Sequence, residues 1–355
     1  ILKVIYNLKQ LREMKHTKLL ILSLIAAMTF SACGTDDSLQ FNFPDKENNG
    51  GGNTGGDNSG GSTDKNNANK NVATINMPIV VKNAINGLEF PKLKNNGSSY
   101  AIVHMDNTTG MLNYSTEWDD NLKSQRWSCY TLNTTNSQNI VGRPKDDYPS
   151  DTDLKTLYGV VDFTSDPYKN NGRYDHGHIC PSADRRLNST QERQTDFLTN
   201  MHPQYSDFNQ KGTWYNMEKE LQRLAPKIDS DTLFIVKGGT VDNPENIIEY
   251  IYKNLTANNA TKGYIPVPKY FFVAVLKKEF NTKTQSYGYS AFGYWFKHEN
   301  KSFDSKNDKL GNYVVNIKTL EERTGIDFFC NLPDDIEKQV EEIDVQAIKN
   351  IWGFK

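Results

Sequence analysis

The sequence predicts an α+β fold with an antiparallel central sheet, and three observations carry that prediction. Strand-like and helix-like segments follow one another without the strand–helix–strand rhythm of a parallel sheet. Aromatic residues make up 11% of the 355 residues, enough to furnish a core. No low-complexity stretch interrupts residues 90–355, so the patterned part reads as one large domain.

The elements follow in order. Tyr100–His104 (YAIVH) and Trp127–Leu132 are rich in aromatic and β-branched residues and read as strands. Residues 142–158 are rich in Pro, Asp and Tyr and read as a loop. The short apolar run Phe197–Met201 reads as a buried strand. Trp214, Met217, Leu221 and Leu224 recur at helical spacing, which predicts a helix over Thr213–Leu224 with one face inward. Thr232–Lys237 is a strand stopped by Gly238 and Gly239. Tyr270–Leu276 (YFFVAVL) is apolar throughout, as a strand buried on both faces is. Ser286–Phe296 is another aromatic strand, and helices are predicted at Ile317–Thr324 and Glu337–Ile351.

Composition narrows the function. A charged fraction of 24% and a mean hydropathy of −0.69 exclude a polytopic membrane protein. The net charge of −2 gives no global pull toward polyanions, so any handling of nucleic acid must rest on a local patch. Four cysteines are too few for a disulfide scaffold in a chain of this length.

The first segment reads as an address. Residues 1–13 look like read-through ahead of a start at Met14. Lys15 and Lys18 form a basic region, Leu19–Phe30 an apolar one too short to span a membrane stably, and Phe30-Ser31-Ala32-Cys33 follows. Small residues before a cysteine at that point resemble the lipobox of bacterial lipoproteins. The resemblance implies cleavage before Cys33, its lipidation, and a membrane anchor in the cell envelope. The outer membrane is the expected location, on its periplasmic or exposed side. Residues 34–75, dominated by Gly, Asn, Asp and Ser, are expected to form a flexible tether, with a catalytic domain over 76–355.

The chemistry is concentrated in one stretch. Residues 173–186 read Arg-Tyr-Asp-His-Gly-His-Ile-Cys-Pro-Ser-Ala-Asp-Arg-Arg, and Asn200-Met201-His202-Pro203-Gln204, Asn209, Trp214 and Glu218 follow. Three of the six histidines lie here, followed closely by amide and carboxylate oxygens that suit a hard cation. The pattern resembles the DNA/RNA non-specific endonuclease family of ββα-metal nucleases. The resemblance rests on Asp175-x-Gly177-His178, Ala183-Asp184, Asn200-Met201-His202-Pro203-Gln204, Asn209, Trp214 and Glu218. It is extended by Trp127, Val141-Gly142-Arg143 and Thr324-Gly325-Ile326-Asp327-Phe328-Phe329, and covers about residues 86–355.

The resemblance implies a ββα-metal fold and a magnesium-dependent hydrolysis of phosphodiesters in DNA and RNA. Manganese or another divalent cation is an acceptable substitute. It makes His178 the general base, Asn209 the direct protein ligand of the metal, and Glu218 the holder of a water in the metal's shell. Asp175 and Asn200 orient these groups. Asn200, Arg185, Arg186 and Arg223 are taken as contacts to the substrate. A histidine titrates near neutrality and can accept a proton from water there, a service worth about 10²–10⁴ in rate. Magnesium needs few protein ligands, so one amide oxygen plus substrate phosphate suffices.

Three departures stand out. His176 occupies the slot where the family usually has Arg, so a fixed cation is replaced by a titratable group, read here as a further catalytic candidate. One extra residue separates Asn209 from Trp214. On one continuous helix the nine-residue gap would set Glu218 about 180° from Asn209, unless a late helix start near Gly212 absorbs it. Gln222 stands one turn after Glu218 where the family often has Arg, with Arg223 beside it. His202, His104 and His298 are read as packing or surface residues. Cys129, Cys180 and Cys330 have no zinc spacing, and one disulfide with one free thiol stays open. The alternatives are a non-catalytic nucleic-acid-binding surface lipoprotein and a narrower phosphodiesterase acting on small phosphoesters.

Overall fold

The computed structural model describes residues 66–144, 147–169, 172–253 and 263–354. The leader, Cys33 and most of the tether lie outside the described residues. Among the described residues no helix is long and apolar enough to cross a membrane.

The chain runs α1 (Ile79–Ala84), β1 (Ser99–Asp106), β2 (Met111–Asp119), β3 (Ser124–Leu132), α2 (Thr152–Tyr158), β4 (Tyr174–His178) and α3 (Ser189–Gln194). Then come β5 (Met201–Tyr205), α4 (Ser206–Gln210), α5 (Thr213–Leu224), β6 (Thr232–Gly239), β7 (Ile247–Lys253) and β8 (Gly263–Pro268). β9 (Tyr270–Asn281), β10 (Ser286–Lys297), β11 (Val314–Val315), α6 (Ile317–Thr324), α7 (Asp334–Glu341) and α8 (Val345–Trp352) close the fold. Seven strands form the central sheet in the order β1-β2-β3-β6-β9-β10-β11. Every neighbouring pair in it is antiparallel. The fold class is the predicted α+β.

The unbroken apolar run of β9 has the predicted cause. Phe272, Ala274 and Leu276 pack with Trp127, Ile317, Leu320 and Ile336 on one face of the sheet. Phe271, Val273 and Val275 pack with Trp214, Met217, Leu221 and Trp352 on the other. Successive strand side chains point to opposite faces, so a sheet covered on both sides needs apolar residues at every position. Trp214, Met217 and Leu221 are the inward face of α5 and hold that helix on the sheet; such a side chain contributes about 1.5–3 kcal/mol when buried.

Several expectations are corrected. The stretch read as a loop contains α2: Asp151 caps it by accepting from the Asp153 and Leu154 amides, and Gly159 ends it with φ 68°. Those acidic and aromatic residues marked a capped helix. Residues 198–200 form a 3-10 turn, and the strand starts only at Met201. Gly238 and Gly239 continue β6 instead of stopping it. A Cβ at Gly238 would lie 2.6 Å from the Phe272 ring, so glycine serves close packing there. The single helix predicted over Glu337–Ile351 is two, α7 and α8, because Asp344 caps a new start by accepting from Gln346 and Ala347. Residues 67–71, assigned to the tether, bond to the domain, while 72–75 stay exposed. Asn67 donates to the Leu332 carbonyl (2.8 Å), and the buried Asn71 donates to the Pro91 carbonyl (2.9 Å). Composition alone missed asparagines that bond to backbone.

Candidate active site

β4 and β5 pair as a separate two-stranded antiparallel ribbon, with Asp175 opposite Gln204 and His178 opposite Met201. α4 and α5 follow β5 directly, so the local unit is strand, strand, helix. Gly177 is required by close approach: a Cβ there would overlap the Gln204 side chain that fills the space.

A cleft of about 700 Å³ opens beside this unit. Asp175, His176 and His178 reach it from β4, Asn209 and Gln210 from α4, and Glu218 from α5. The spacing problem between Asn209 and Glu218 disappears because they sit on different helices. α4 ends at Gln210 and α5 starts afresh after Gly212. Gly212 allows the break: a Cβ there would lie 2.6 Å from the Phe208 Cα and 2.7 Å from the Lys301 carbonyl.

His178 Nε2 lies 3.2 Å from Oδ1 of the buried Asp196. That pairing assigns the Nε2–H to Asp196 and leaves Nδ1 as the proton acceptor. Burial lowers the His178 pKa, with Arg143 and His176 adding to the fall and Asp196 opposing it. The ring is therefore neutral at pH 7. Asp175 Oδ2 accepts from Asn209 Nδ2 (3.2 Å) and from Gln210 Nε2 (2.7 Å). The first bond turns the Asn209 amide so that its Oδ1 carries no hydrogen bond among the described residues. Burial raises the Glu218 pKa and Asp184 adds to the rise; Lys237, 3.3 Å away, opposes it. His176 stacks on Tyr148 with ring centres 3.7 Å apart, and its Nε2 lies 3.0 Å from Asp166. Burial alone would raise the Asp166 pKa, but the His176 hydrogen bond and charge outweigh it and hold it low.

Of the four residues expected at the substrate, only Arg186 lines the cleft. Its Nε is buried with no hydrogen-bond partner. Its carbonyl accepts from the Ile140 and Val141 amides, which ties the Arg143 loop to the cleft. The other three are corrections. Asn200 is wholly buried and occupied: Oδ1 accepts from the Cys180 amide (2.9 Å), and Nδ2 donates to the Cys180 and Thr195 carbonyls (both 2.8 Å). It staples the chain leaving β4. Arg185 is also buried, donating to the Asn113 (3.1 Å) and Thr131 (2.6 Å) carbonyls and stacking over Tyr130. Arg223 is exposed and paired with Glu220 at 2.6 Å.

Reading the sequence missed Tyr148, Asp166, Asp196 and Lys237, and gave Arg173 no role within its stretch. None of the four stands at a motif spacing from His178. Lys237 gave the one available signal, a charge inside the apolar run TLFIVKGG, and reading it as the strand's end hid it. His202 and His298 are packing residues, as read; burial holds their pKa values at about 3 and about 4. Cys129, Cys180 and Cys330 are all free and buried. Burial pushes the Cys180 thiol up to about 12, which rules it out as a nucleophile at neutral pH.

The cleft thus offers uncharged and anionic oxygens beside a neutral imidazole, ringed by Arg143, Arg173 and Arg186. That donor set suits a hard divalent cation and a phosphate. Among the described residues two other groups have ligand-like spacing, His104 with Asp151 and Asp153, and Glu321 with Asp327 and Glu341. Neither contributes a residue to the cleft.

Comparison with known proteins places the chain in a family. Residues 98–335 match the family model described as DNA/RNA non-specific endonuclease. A nuclease of Nostoc sp. is 28% identical over 64% of this chain and 75% of its own length. A nuclease of Syncephalastrum racemosum is 27% identical over 54% of this chain and 57% of its own. The mitochondrial nuclease 1 of Schizosaccharomyces pombe is 27% identical, with 49% and 51% covered. The chain therefore spans three quarters of the first relative and little more than half of the other two. A chain of the solved EndoG/EndoGI complex aligns at a TM-score of 0.47 and 19% identity, covering 63% of this chain and 85% of that one. The family match takes in the whole cleft-forming stretch from β4 to α5, and the chain belongs to the DNA/RNA non-specific endonuclease family.

Proposed function

We propose that the protein is a magnesium-dependent endonuclease that hydrolyses phosphodiester bonds in both DNA and RNA. One observation carries the reading: β4, α4 and α5 bring His178, Asn209 and Glu218 to a single cleft. His178 Nδ1 takes the proton from the attacking water while Asp196 holds the ring in place. Asn209 Oδ1, turned by Asp175, would hold the magnesium ion, and Glu218 would hold a water beside it. The bound ion would neutralise charge on the phosphate oxygens and the leaving alkoxide. Manganese would serve in its place. Arg186, Arg143 and Arg173 grip phosphates, and His176, oriented by Asp166, adds a polar contact where the family usually has a fixed cation. Contacts of this kind position a backbone without reading bases, which fits action on either polymer.

The test uses the full chain, plasmid DNA and ribosomal RNA, with magnesium, with EDTA, and as His178→Ala. Both polymers are cut with magnesium, neither in EDTA, and the variant is slower by about 10²–10⁴. Folded protein that cuts neither polymer with magnesium would end the nuclease reading. We also propose that Cys33 is lipidated and anchors the domain at the outer membrane, the leader reading being its support. Radiolabelled palmitate should enter the full chain and not Cys33→Ala; equal labelling would refute it.

A further inference from the structure

Lys237 is an ammonium inside the sheet. It lies on β6, its side chain is fully shielded from solvent, and Val236 and Gly238 beside it are buried too. A buried charge is strongly unfavourable unless it is paired. The partners of Lys237 are both on α5. Its Nζ lies 3.3 Å from Glu218 Oε1 and 4.6 Å from the centre of the Trp214 ring. Residues 214 and 218 are one helical turn apart, so a single ammonium spans the seam between the sheet and the helix that carries Glu218.

The helix supplies no cation of its own to that carboxylate. Gln222, one turn beyond Glu218, donates to Asp184 at 3.2 Å. Arg223 turns outward to Glu220. Asp184, which also accepts from the Tyr130 hydroxyl (2.8 Å), adds a like charge near Glu218. Among the described residues, Lys237 makes the ion pair to Glu218 from outside the helix, on the side facing the sheet. We propose that Lys237 is the positioning residue for Glu218: from the sheet side it clamps Oε1 and leaves Oε2 to serve the cleft that Glu218 lines. Lys237 is not among the residues lining the cleft, so it acts only through Glu218. This rests on the nuclease reading of the cleft.

The test is a cycle in the full chain: Lys237→Met, Lys237→Arg, Glu218→Gln and the double variant Lys237→Met/Glu218→Gln. Lys237→Met should lower kcat by about 10–100-fold, with KM for DNA moved less than about twofold, because substrate contacts are untouched. Lys237→Arg, which keeps the charge, should recover most of the rate. In the Glu218→Gln background the methionine should cost no further rate, since the group it served is gone. The unfolding midpoint gives a second readout that needs no activity. Lys237→Met should lower it by about 10 °C in the wild-type background and by clearly less beside Glu218→Gln. Should Lys237→Met fail to fold, Lys237→Gln carries the same comparison. An unchanged kcat, or an equal loss with and without Glu218, overturns the clamp. If the wild type cuts neither polymer, the nuclease reading fails on its own, and the midpoint cycle still decides whether the two residues act as one unit.

Discussion

The cleft and the carboxylate group at α6 and α7 both bury acids, but in opposite company. Glu321, Glu337 and Glu341 are raised to about 7, about 8 and about 9 by burial and then by neighbouring carboxylates, Asp327 among them each time, and burial raises Asp327 too. Their close partners are amides: Asn69 Nδ2 donates to Glu337 (2.9 Å) and Asp327 (3.2 Å), and the Phe328 amide to Glu321 (2.8 Å). Acids packed against acids keep protons instead of charges. In the cleft Glu218 meets an ammonium, Asp175 meets two amides, and the imidazole of His178 is driven neutral. Strongly raised carboxylates thus also occur among residues that do not line this cleft. Size of shift alone does not mark a site. Shifts that push an acid up and a base down around one opening do.

The largest effect expected from breaking this contrast is on the cleft side. Asp175→Ala frees the Asn209 amide, so the magnesium concentration needed for half-maximal cleavage should rise by about 10–100-fold. An unchanged requirement would remove Asp175 from the proposed ligand-orienting role. The next effect comes from His178. Its pKa lies below 6.5, so cleavage should be level above that pH and fall about tenfold per unit below the His178 pKa. A log kcat/KM that still rises tenfold per unit above pH 6.5 would count against His178 as the base.

The packing behind β5 and the carboxylate group should also fail at opposite ends of the pH scale. His202 and His298 stay neutral in the fold down to about 3 and about 4, while the unfolded chain takes up those protons near 6.5. Their contribution to stability is whole above 6.5 and is lost as pH falls toward those values. The carboxylate group has the reverse sign. Glu341 holds its proton to about 9 in the fold against 4.5 ordinarily, so its contribution is whole below 4.5 and is lost as pH rises through 9. Glu341→Gln, a permanent mimic of the protonated form, should melt about 2–4 °C above wild type at pH 9. Its advantage should shrink at lower pH, and its rate of cleavage should match wild type. An advantage independent of pH would mean that Glu341 does not titrate there.

The same contrast explains what the sequence made legible. β9 and α5 could be read because burial on both faces, or on one stripe, leaves a pattern in adjacent letters. Asp175, His178, Asn209 and Glu218 could be read because one hairpin and two short helices carry all of them within a single stretch. Asp196, Asp166, Tyr148 and Lys237 could not, because each reaches the site or its helix only when separate segments close on β4 and α5. α2 was missed for a local reason: Asp151 looked like loop composition and is a cap. Arg185 and Asn200 misled in the other direction. Adjacency to the motif suggested substrate contact, yet both bind main-chain carbonyls in the interior, work that also needs a residue next to the site.

Arg186 and Arg223 show how little sequence position decides without geometry, and their comparison predicts the smallest effect. Both are arginines near motif residues, and both were read as substrate contacts. Arg186 lines the cleft with an Nε that has no partner, whereas Arg223 spends two donors on Glu220 at the surface. An exposed pair of this kind contributes at most about 1 kcal/mol. Arg223→Ala should therefore leave kcat and KM for DNA within about twofold and the melting temperature within a few degrees. Arg186→Ala, measured beside it on the same substrate, should raise KM by about tenfold through loss of a charged phosphate contact. If the two variants behave alike, the cleft's edge has been drawn in the wrong place, because only a substrate path running over the outer face of α5 would make them equivalent.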